Sequence, residues 1–256
     1  MQEKLSAMNG IYQTLLKKRE TETKSFAVLL DPDKTNDTNL FKTIDKSIES
    51  NIDFFLVGGS LLMNNNLGNI VKTIKSNSSI PVILFPGSSL QIHPAADAIL
   101  FLSLISGRNA DFLIGQHVLA APLLKKSELE IIPTGYMLVD GGKPTTVSYI
   151  SNTTPIPHNK PDIASCTAMA GEMLGLKLLY MDAGSGAESP ISKKMISAVR
   201  ASCSLPLIAG GGINTAQKAM DALAAGADMI VIGNGIEKRP ELLSEVSELI
   251  QELNIH

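Results

Sequence analysis

The chain has no tryptophan, only two cysteines in 256 residues, and 4% aromatic side chains. The cysteines, Cys166 and Cys203, lack metal-ligand spacing and give no disulfide scaffold, so both read as buried small side chains. Neither sign of charge is in excess. Lys and Arg number 22 against 25 Asp and Glu, a net charge of −3, which implies no broad attraction to nucleic acid or an anionic membrane. No run of about 18 uninterrupted apolar residues occurs, so nothing reads as a membrane span. The opening Met-Gln-Glu-Lys-Leu-Ser-Ala-Met carries both charge signs and leads to no apolar signal core. A cytoplasmic protein without stable membrane insertion is the expectation, although such a protein can still draw a lipid from a bilayer surface.

What is present is a regular alternation. A composition of 44% hydrophobic and 18% charged residues fits an ordinary globular chain. Short apolar runs fall at 26–31, 53–57, 81–85, 98–102, 130–139, 176–182, 205–209 and 228–232. Continuous apolar runs are what a parallel sheet buried on both faces requires. Segments between them, such as 190–203 and 215–226, have helical spacing. Eight such repeats in a chain of 256 residues predict a single α/β domain over 1–256, a (β/α)₈ TIM barrel, with a doubly wound open sheet as the alternative. Two stretches break the rhythm. Residues 1–24 read as an extra amphipathic helix covering the barrel bottom or packing alongside it. Residues 140–162 read as a long linker after strand five, and a loop of that length on the active face suggests a mobile substrate cover.

Several runs end abruptly in chemistry-bearing residues. Leu-Ile-Ala-Gly-Gly-Gly-Ile-Asn-Thr at 207–215 and Met-Ile-Val-Ile-Gly-Asn-Gly at 229–235 are the last two strands, each closed by glycine. In a (β/α)₈ barrel the loops there commonly bind phosphate, because glycine lets backbone N–H groups approach the anion. Asp31, at the end of strand one, suits a Mg²⁺ ligand or a turn cap equally well. Ser60, after strand two, either completes that metal site or caps a helix. Strand six ends in Tyr-Met-Asp-Ala-Gly-Ser-Gly-Ala at 180–187. Alternation puts Tyr180 and Asp182 on one side, with Met181 opposite. A phenol and a carboxylate there suit a polyol, and Gly184, Ser185 and Gly186 suit a phosphate. The four histidines have no metal-binding spacing, and Arg108 is either a diphosphate contact or a solvated side chain.

Taken together, Asp-Pro-Asp-Lys (31–34), Val-Gly-Gly-Ser (57–60), Phe-Pro-Gly-Ser (85–88), Tyr-Met-Asp-Ala-Gly-Ser-Gly (180–186), Gly-Gly-Gly-Ile (210–213) and Gly-Asn (233–234) run in the order found in one family. The chain resembles the geranylgeranylglyceryl phosphate synthases, relatives of the bacterial heptaprenylglyceryl phosphate synthases. The resemblance covers nearly the whole chain. It implies a TIM-barrel prenyltransferase that joins sn-glycerol 1-phosphate to a prenyl diphosphate, geranylgeranyl diphosphate by the larger, archaeal-like branch that segment 107–117 matches. It implies Mg²⁺ at Asp31 and Ser60. It places the glycerol phosphate on Tyr180, Met181, Asp182, Ala183, Gly184, Ser185, Gly186, Gly211, Gly212, Gly233 and Asn234, with Asp182 and Tyr180 closest to the chemistry. The family usually has glutamate at the position of Asp182, and often a lysine where this chain has Leu29. A prenyl groove is expected around Phe85, Phe101, Leu102 and Tyr136, and a homo-oligomer, dimer or hexamer, through apolar helices including 119–124. A donor of different length, or a phosphosugar enzyme on the same barrel, are the alternatives. Lys177 opens strand six at the wrong end for a Schiff-base aldolase.

Overall fold

The computed structural model describes residues 10–233, 236 and 239–255. Eight parallel strands, β1 (Ser25–Leu30), β2 (Phe54–Val57), β3 (Val82–Leu84), β4 (Ala98–Leu104), β5 (Glu130–Leu138), β6 (Leu178–Asp182), β7 (Leu207–Gly210) and β8 (Met229–Ile232), pair in sequence order. The pairing of β1 with β8, Phe26 opposite Ile230, closes them into a barrel. The helices are α1 (Ile11–Glu20), α2 (Asp37–Glu49), α3 (Leu67–Asn77), α4 (Gln116–Leu124), α5 (Thr146–Ile150), α6 (Pro161–Met173), α7 (Lys193–Ser202), α8 (Ala216–Ala224) and α9 (Leu242–Ile255). Helix starts follow local chemistry. Asn36, Ser192 and Thr215 each accept a backbone N–H from three residues on, at the N-caps of α2, α7 and α8, which satisfies donors that a helix cannot satisfy internally.

Strand alternation divides the apolar residues into two cores. Phe26, Val28, Phe55, Met181 and Ala209 belong to the layer between sheet and helices, together with Ile70, Ile74 and Val199. Ala27, Leu56, Leu100, Tyr136, Tyr180 and Ile208 fill the barrel interior. All eight expected strands form, with ends shifted by a few residues at most.

Helix α1 closes the bottom of the barrel. Its Ile11 and Leu15 are buried in the interior cluster rather than in the outer layer. The backbone N–H groups of Ile11 and Tyr12 donate to the carboxylate of Glu130, the first residue of β5. A carboxylate at a helix N-terminus meets both the unpaired donors and the positive end of the helix dipole. A Cβ on Gly10 would lie 2.7 Å from that carboxylate, so glycine makes room for it. Lys18, near the other end of α1, pairs with Asp53 just before β2. The extra helix expected over 1–24 is described here as Ile11–Glu20, and residues 1–9 lie outside the described residues.

Two expectations need correction. The stretch 140–162 is not irregular throughout. Thr145 and Ser148 form a capping box that starts α5, Val139 and Ile156 form a parallel bridge, and α6 begins at Pro161. Of the cysteines, Cys203 is buried but Cys166 is exposed on α6.

If Glu130 anchors α1, Glu130→Ala should lower unfolding stability by about 1–2 kcal/mol, the usual worth of such a cap. A urea midpoint unchanged from wild type would show that α1 is held by apolar contact alone.

Candidate active site

At the mouth of the barrel β5 and β6 run side by side in register, with Tyr136 opposite Tyr180 and Leu138 opposite Asp182. Inward alternation brings Tyr136, Tyr180 and Asp182 into one cluster. The Tyr136 hydroxyl donates to Asp182 Oδ2 at 2.6 Å, and the Gly184 N–H donates to Oδ1 at 2.7 Å. The phenol that holds the carboxylate is therefore Tyr136, from the neighbouring strand, which the sequence reading had placed only in an apolar groove. Asp182 is 8% exposed. Burial raises its pKa from the ordinary value, against the two hydrogen bonds, which favour the charged form. The Tyr136 hydroxyl is pushed well up, first by burial and then by the adjacent carboxylate.

Tyr180 has a different place. Its ring stacks on Phe85 with centroids 4.9 Å apart, and Tyr136 tilts against both rings at 5.9 and 5.7 Å. A Cβ on Gly210 would lie 2.6 Å from the Tyr180 hydroxyl. The three aromatic rings form the floor on which Asp182 stands. Met181 and Ala183 turn their side chains into the outer core, so only their backbones face the site.

Glycines shape the rim beyond Asp182. Gly184, Gly186, Gly211 and Gly212 have φ of +89, +73, +79 and +70°, a region that L side chains avoid. A Cβ on Gly211 would come within 2.7 Å of Asp182 Oδ1 and of the Gly184 N atom. This close nesting joins the loops after β6 and β7 into one glycine-rich rim, the loop chemistry that suits anions through backbone donors. Gly233 follows β8, and a Cβ there would make only ordinary contact with Leu29, at 3.7 Å. Asn234 lies outside the described residues. Ser185 is exposed on the loop after β6.

Across the barrel mouth the glycines of 57–60 and 85–88 serve backbone packing. A Cβ on Gly58 would fall 2.0 Å from Phe85 O, and one on Gly87 2.3 Å from Gly59 O. Gln91, 2% exposed, locks this contact: its side chain accepts from the Gly59 N–H at 3.2 Å and donates to Gly59 O at 2.8 Å. No sequence pattern marked Gln91. Asp31 stands next to this loop, a Cβ on Gly59 lying 3.4 Å from its Oδ1, so glycine leaves that carboxylate face open. Asp31 Oδ1 also accepts from the Asp33 N–H, and its Oδ2 pairs with Lys34 at 2.8 Å, so the turn is formed. Asp33 caps no helix; it accepts from the N–H groups of Met63 and Asn64.

Against this second side runs an apolar groove, lined from Gly59, Ser60 and the 85–89 loop across to β4 and Tyr136 of β5. Phe85, Phe101, Leu102 and Tyr136 all line it, as expected, together with Ala120 and Leu124 of α4, Val147 and Ile150 of α5, and Ser60 near the mouth. A five-residue π-helical turn, Asp111–Gly115, precedes α4 and is tied to β4 by Ser103, whose hydroxyl donates to Leu113 O. His117 meets Phe101 edge-on at 4.3 Å, and burial pushes its imidazole below the ordinary value. Arg108 is exposed, donating to its neighbour Gly107 O at 2.7 Å. Helix α5 lies over both halves of the site: it lines the groove, and a Cβ on Gly184 would strike Thr145 just before it at 2.6 Å. Asn109 holds this cover by donating to Ser151 O at 2.8 Å.

Among known proteins, a family profile described as the PcrB family matches residues 17–250. A geranylgeranylglyceryl phosphate synthase of Spirosoma linguale is 60% identical, over 90% of this chain and 93% of that relative. One of Chitinophaga pinensis is 54% identical, over 94% and 96%. In structure the chain is similar to the (S)-3-O-geranylgeranylglyceryl phosphate synthase of Thermoplasma acidophilum, solved in complex with its substrate sn-glycerol-1-phosphate. The TM-score is 0.90 at 32% identity, covering 95% of this chain and 99% of that one.

The fit of Gly211 against Asp182 is testable against Gly175, which has φ +85° but no atom within 4 Å of an added Cβ. Both alanine variants carry backbone strain, of about 1 kcal/mol or more. Gly211→Ala should cost at least about 1 kcal/mol beyond Gly175→Ala in urea unfolding, since only it also meets an atomic clash. Equal losses would contradict the close nesting.

Proposed function

The chain belongs to the PcrB family, and from that premise we propose that it is a prenyltransferase joining the C3 hydroxyl of sn-glycerol 1-phosphate to C1 of geranylgeranyl diphosphate. The observation that carries this reading is the buried Asp182–Tyr136 pair standing between a glycine-rich rim and an apolar groove. A relative at 32% identity over 95% of this chain was solved with sn-glycerol-1-phosphate, which supports the acceptor.

In this reading the phosphate end rests on the backbones of Ser185, Gly186, Gly211 and Gly212, with Gly184, whose N–H stays on Asp182, as wall and Gly233 and Asn234 completing the site. Tyr180, Met181, Asp182 and Ala183 form the floor and wall around the glycerol. Fixing the phosphate decides which hydroxyl faces the donor. The C3 oxygen forms the new C–O bond to C1 as the C1–diphosphate bond breaks, and its proton passes to Asp182. A carboxylate has about four acceptor positions, so Asp182 keeps its bonds to Tyr136 and Gly184 while taking a third from substrate. Aspartate in place of the family's usual glutamate is one methylene shorter, and the Tyr136 hydrogen bond holds that shorter carboxylate toward the site. The prenyl tail occupies the groove, and the faces of Phe85 and Tyr136 suit a carbon that gains positive charge.

Asp31 and Ser60 would hold Mg²⁺. One carboxylate and one hydroxyl beside an open glycine fit a cation that keeps waters and takes substrate phosphate oxygens. Among the described residues no cluster of three His, Cys, Asp or Glu forms a cage of its own. When bound, the ion neutralises charge on the departing diphosphate. Lys34, paired with Asp31, contributes positive charge at the same place. The expected homo-oligomer, a dimer or hexamer, would use the outward face of α4, where Val118, Leu119 and Leu123 are exposed.

Radiolabelled glycerol 1-phosphate supplied with Mg²⁺ and prenyl diphosphates of several lengths should transfer label to the organic phase, best with geranylgeranyl diphosphate. Asp31→Ala should abolish Mg²⁺-dependent transfer while leaving the far-UV spectrum intact. No transfer with any donor would redirect the search to phosphosugars.

The pH dependence is a separate test of Asp182. Burial raises its pKa, so the acidic limb of kcat/KM should lie above the ordinary aspartate range. The Tyr136 hydrogen bond lowers that pKa; Tyr136→Phe removes it and should move the limb to still higher pH. A limb that stays put, or moves to lower pH, would sink the assignment of Asp182 as the base.

A further inference from the structure

The loops around the groove mouth present apolar side chains to solvent. Met63, Leu90 and Tyr149 are 79%, 90% and 85% exposed, and Leu61 is 51% exposed. They come from the loops after β2 and β3 and from helix α5, each beside residues that line one opening. Leu61 follows Ser60, Leu90 follows Ser89 and Tyr149 precedes Ile150, and Ser60, Ser89 and Ile150 all line the groove. These loops are held by specific bonds. Asp33 accepts from the Met63 N–H, the Ser89 N–H donates to Gln116, and the capping box of Thr145 starts the helix carrying Tyr149. Large apolar side chains fixed around the entrance of an apolar cavity mark an interaction surface rather than scattered exposure.

We propose that this rim docks on the surface of a lipid bilayer, so that a prenyl chain enters the groove from the membrane without crossing water. The proposal rests on the prenyltransferase reading above and adds where that enzyme collects its donor. A second copy of the chain is the weaker occupant, because seated on the rim it would close the entrance that an apolar tail must use. Val118, Leu119 and Leu123 of α4 are also exposed, on the face assigned above to contact between copies. A net charge of −3 gives no general attraction to anionic lipid, so docking depends on apolar contact and is insensitive to salt. No helix among the described residues is long and apolar enough to cross a membrane; the contact is peripheral.

The test is flotation with phosphatidylcholine vesicles, without substrate. The wild-type chain should float and keep floating as salt is raised. The combined Met63→Ser, Leu90→Ser and Tyr149→Ser variant should lose at least about tenfold in partition, given what each buried apolar group contributes at an interface. Val118→Ser with Leu119→Ser should float like wild type. In turnover, the triple variant should match wild type with soluble geranyl diphosphate and fall about tenfold with geranylgeranyl diphosphate supplied in vesicles. A wild-type chain that stays in the soluble fraction would overturn the proposal, as would a triple variant that floats unchanged or binding that needs anionic lipid and disappears in salt. So would a triple variant whose only change is a smaller mass by light scattering, which would make the rim a contact between copies. Absence of turnover with either donor would instead refute the enzymatic reading, while flotation decides the docking surface by itself.

Discussion

Closing eight parallel strands on themselves makes a wall one residue thick, in which each side chain goes either inward or toward the helices. Every later feature depends on that division. It sends Met181 outward and Tyr180 and Asp182 inward. It also brings Tyr136, inward on the adjacent strand, within 2.6 Å of the Asp182 carboxylate. A one-residue slip between β5 and β6 would send Tyr136 to the outer layer and leave a buried carboxylate with one hydrogen bond fewer, at a cost of about 1–3 kcal/mol. Register and site are thus fixed by the same pairing.

The glycines answer two physical demands, close approach and positive φ, that look alike in a sequence, and Gly58, Gly211 and Gly212 meet both. Gly58 and Gly87 are required because two backbones approach each other more closely than any Cβ permits. At Gly184, Gly186, Gly211 and Gly212 the chain turns through positive φ, which keeps side chains out of the loops after β6 and β7. The first pair joins the loops after β2 and β3 into one rigid wall, with Gln91 as its bolt. The second group forms the opposite wall, and the groove opens against the first.

The eight strands were legible because a strand buried on both faces must be apolar at successive positions, and that leaves a local trace. So were the glycine-ended loops and the inward pairing of Tyr180 with Asp182. The partners of those residues were not legible. Tyr136 bonds Asp182 across 46 positions, Gln91 reaches Gly59 across 32 and Glu130 caps α1 across 119. Each is an ordinary residue in an ordinary local context, and only closure of the barrel makes it a partner. Helix α5 was missed for another reason: with five residues, Thr146–Ile150, it is too short to show periodicity, and it is held by a capping box and by Asn109.

Tyr136 belongs to both halves of the site, since its ring lines the groove while its hydroxyl holds Asp182. That double role follows from the shape of tyrosine, an apolar ring with one polar tip. Phenylalanine there would keep the groove and lose the carboxylate's hydrogen bond; a smaller polar residue would admit water to the apolar side. A reaction between a water-loving phosphate and a water-avoiding chain needs a boundary that is dry on one side and hydrogen-bonding on the other. In this barrel the boundary is a triangle of rings, Phe85, Tyr136 and Tyr180, with centroids 4.9–5.9 Å apart. The carboxylate stands at its edge, where the proposed reaction would have it take the proton of the acceptor hydroxyl.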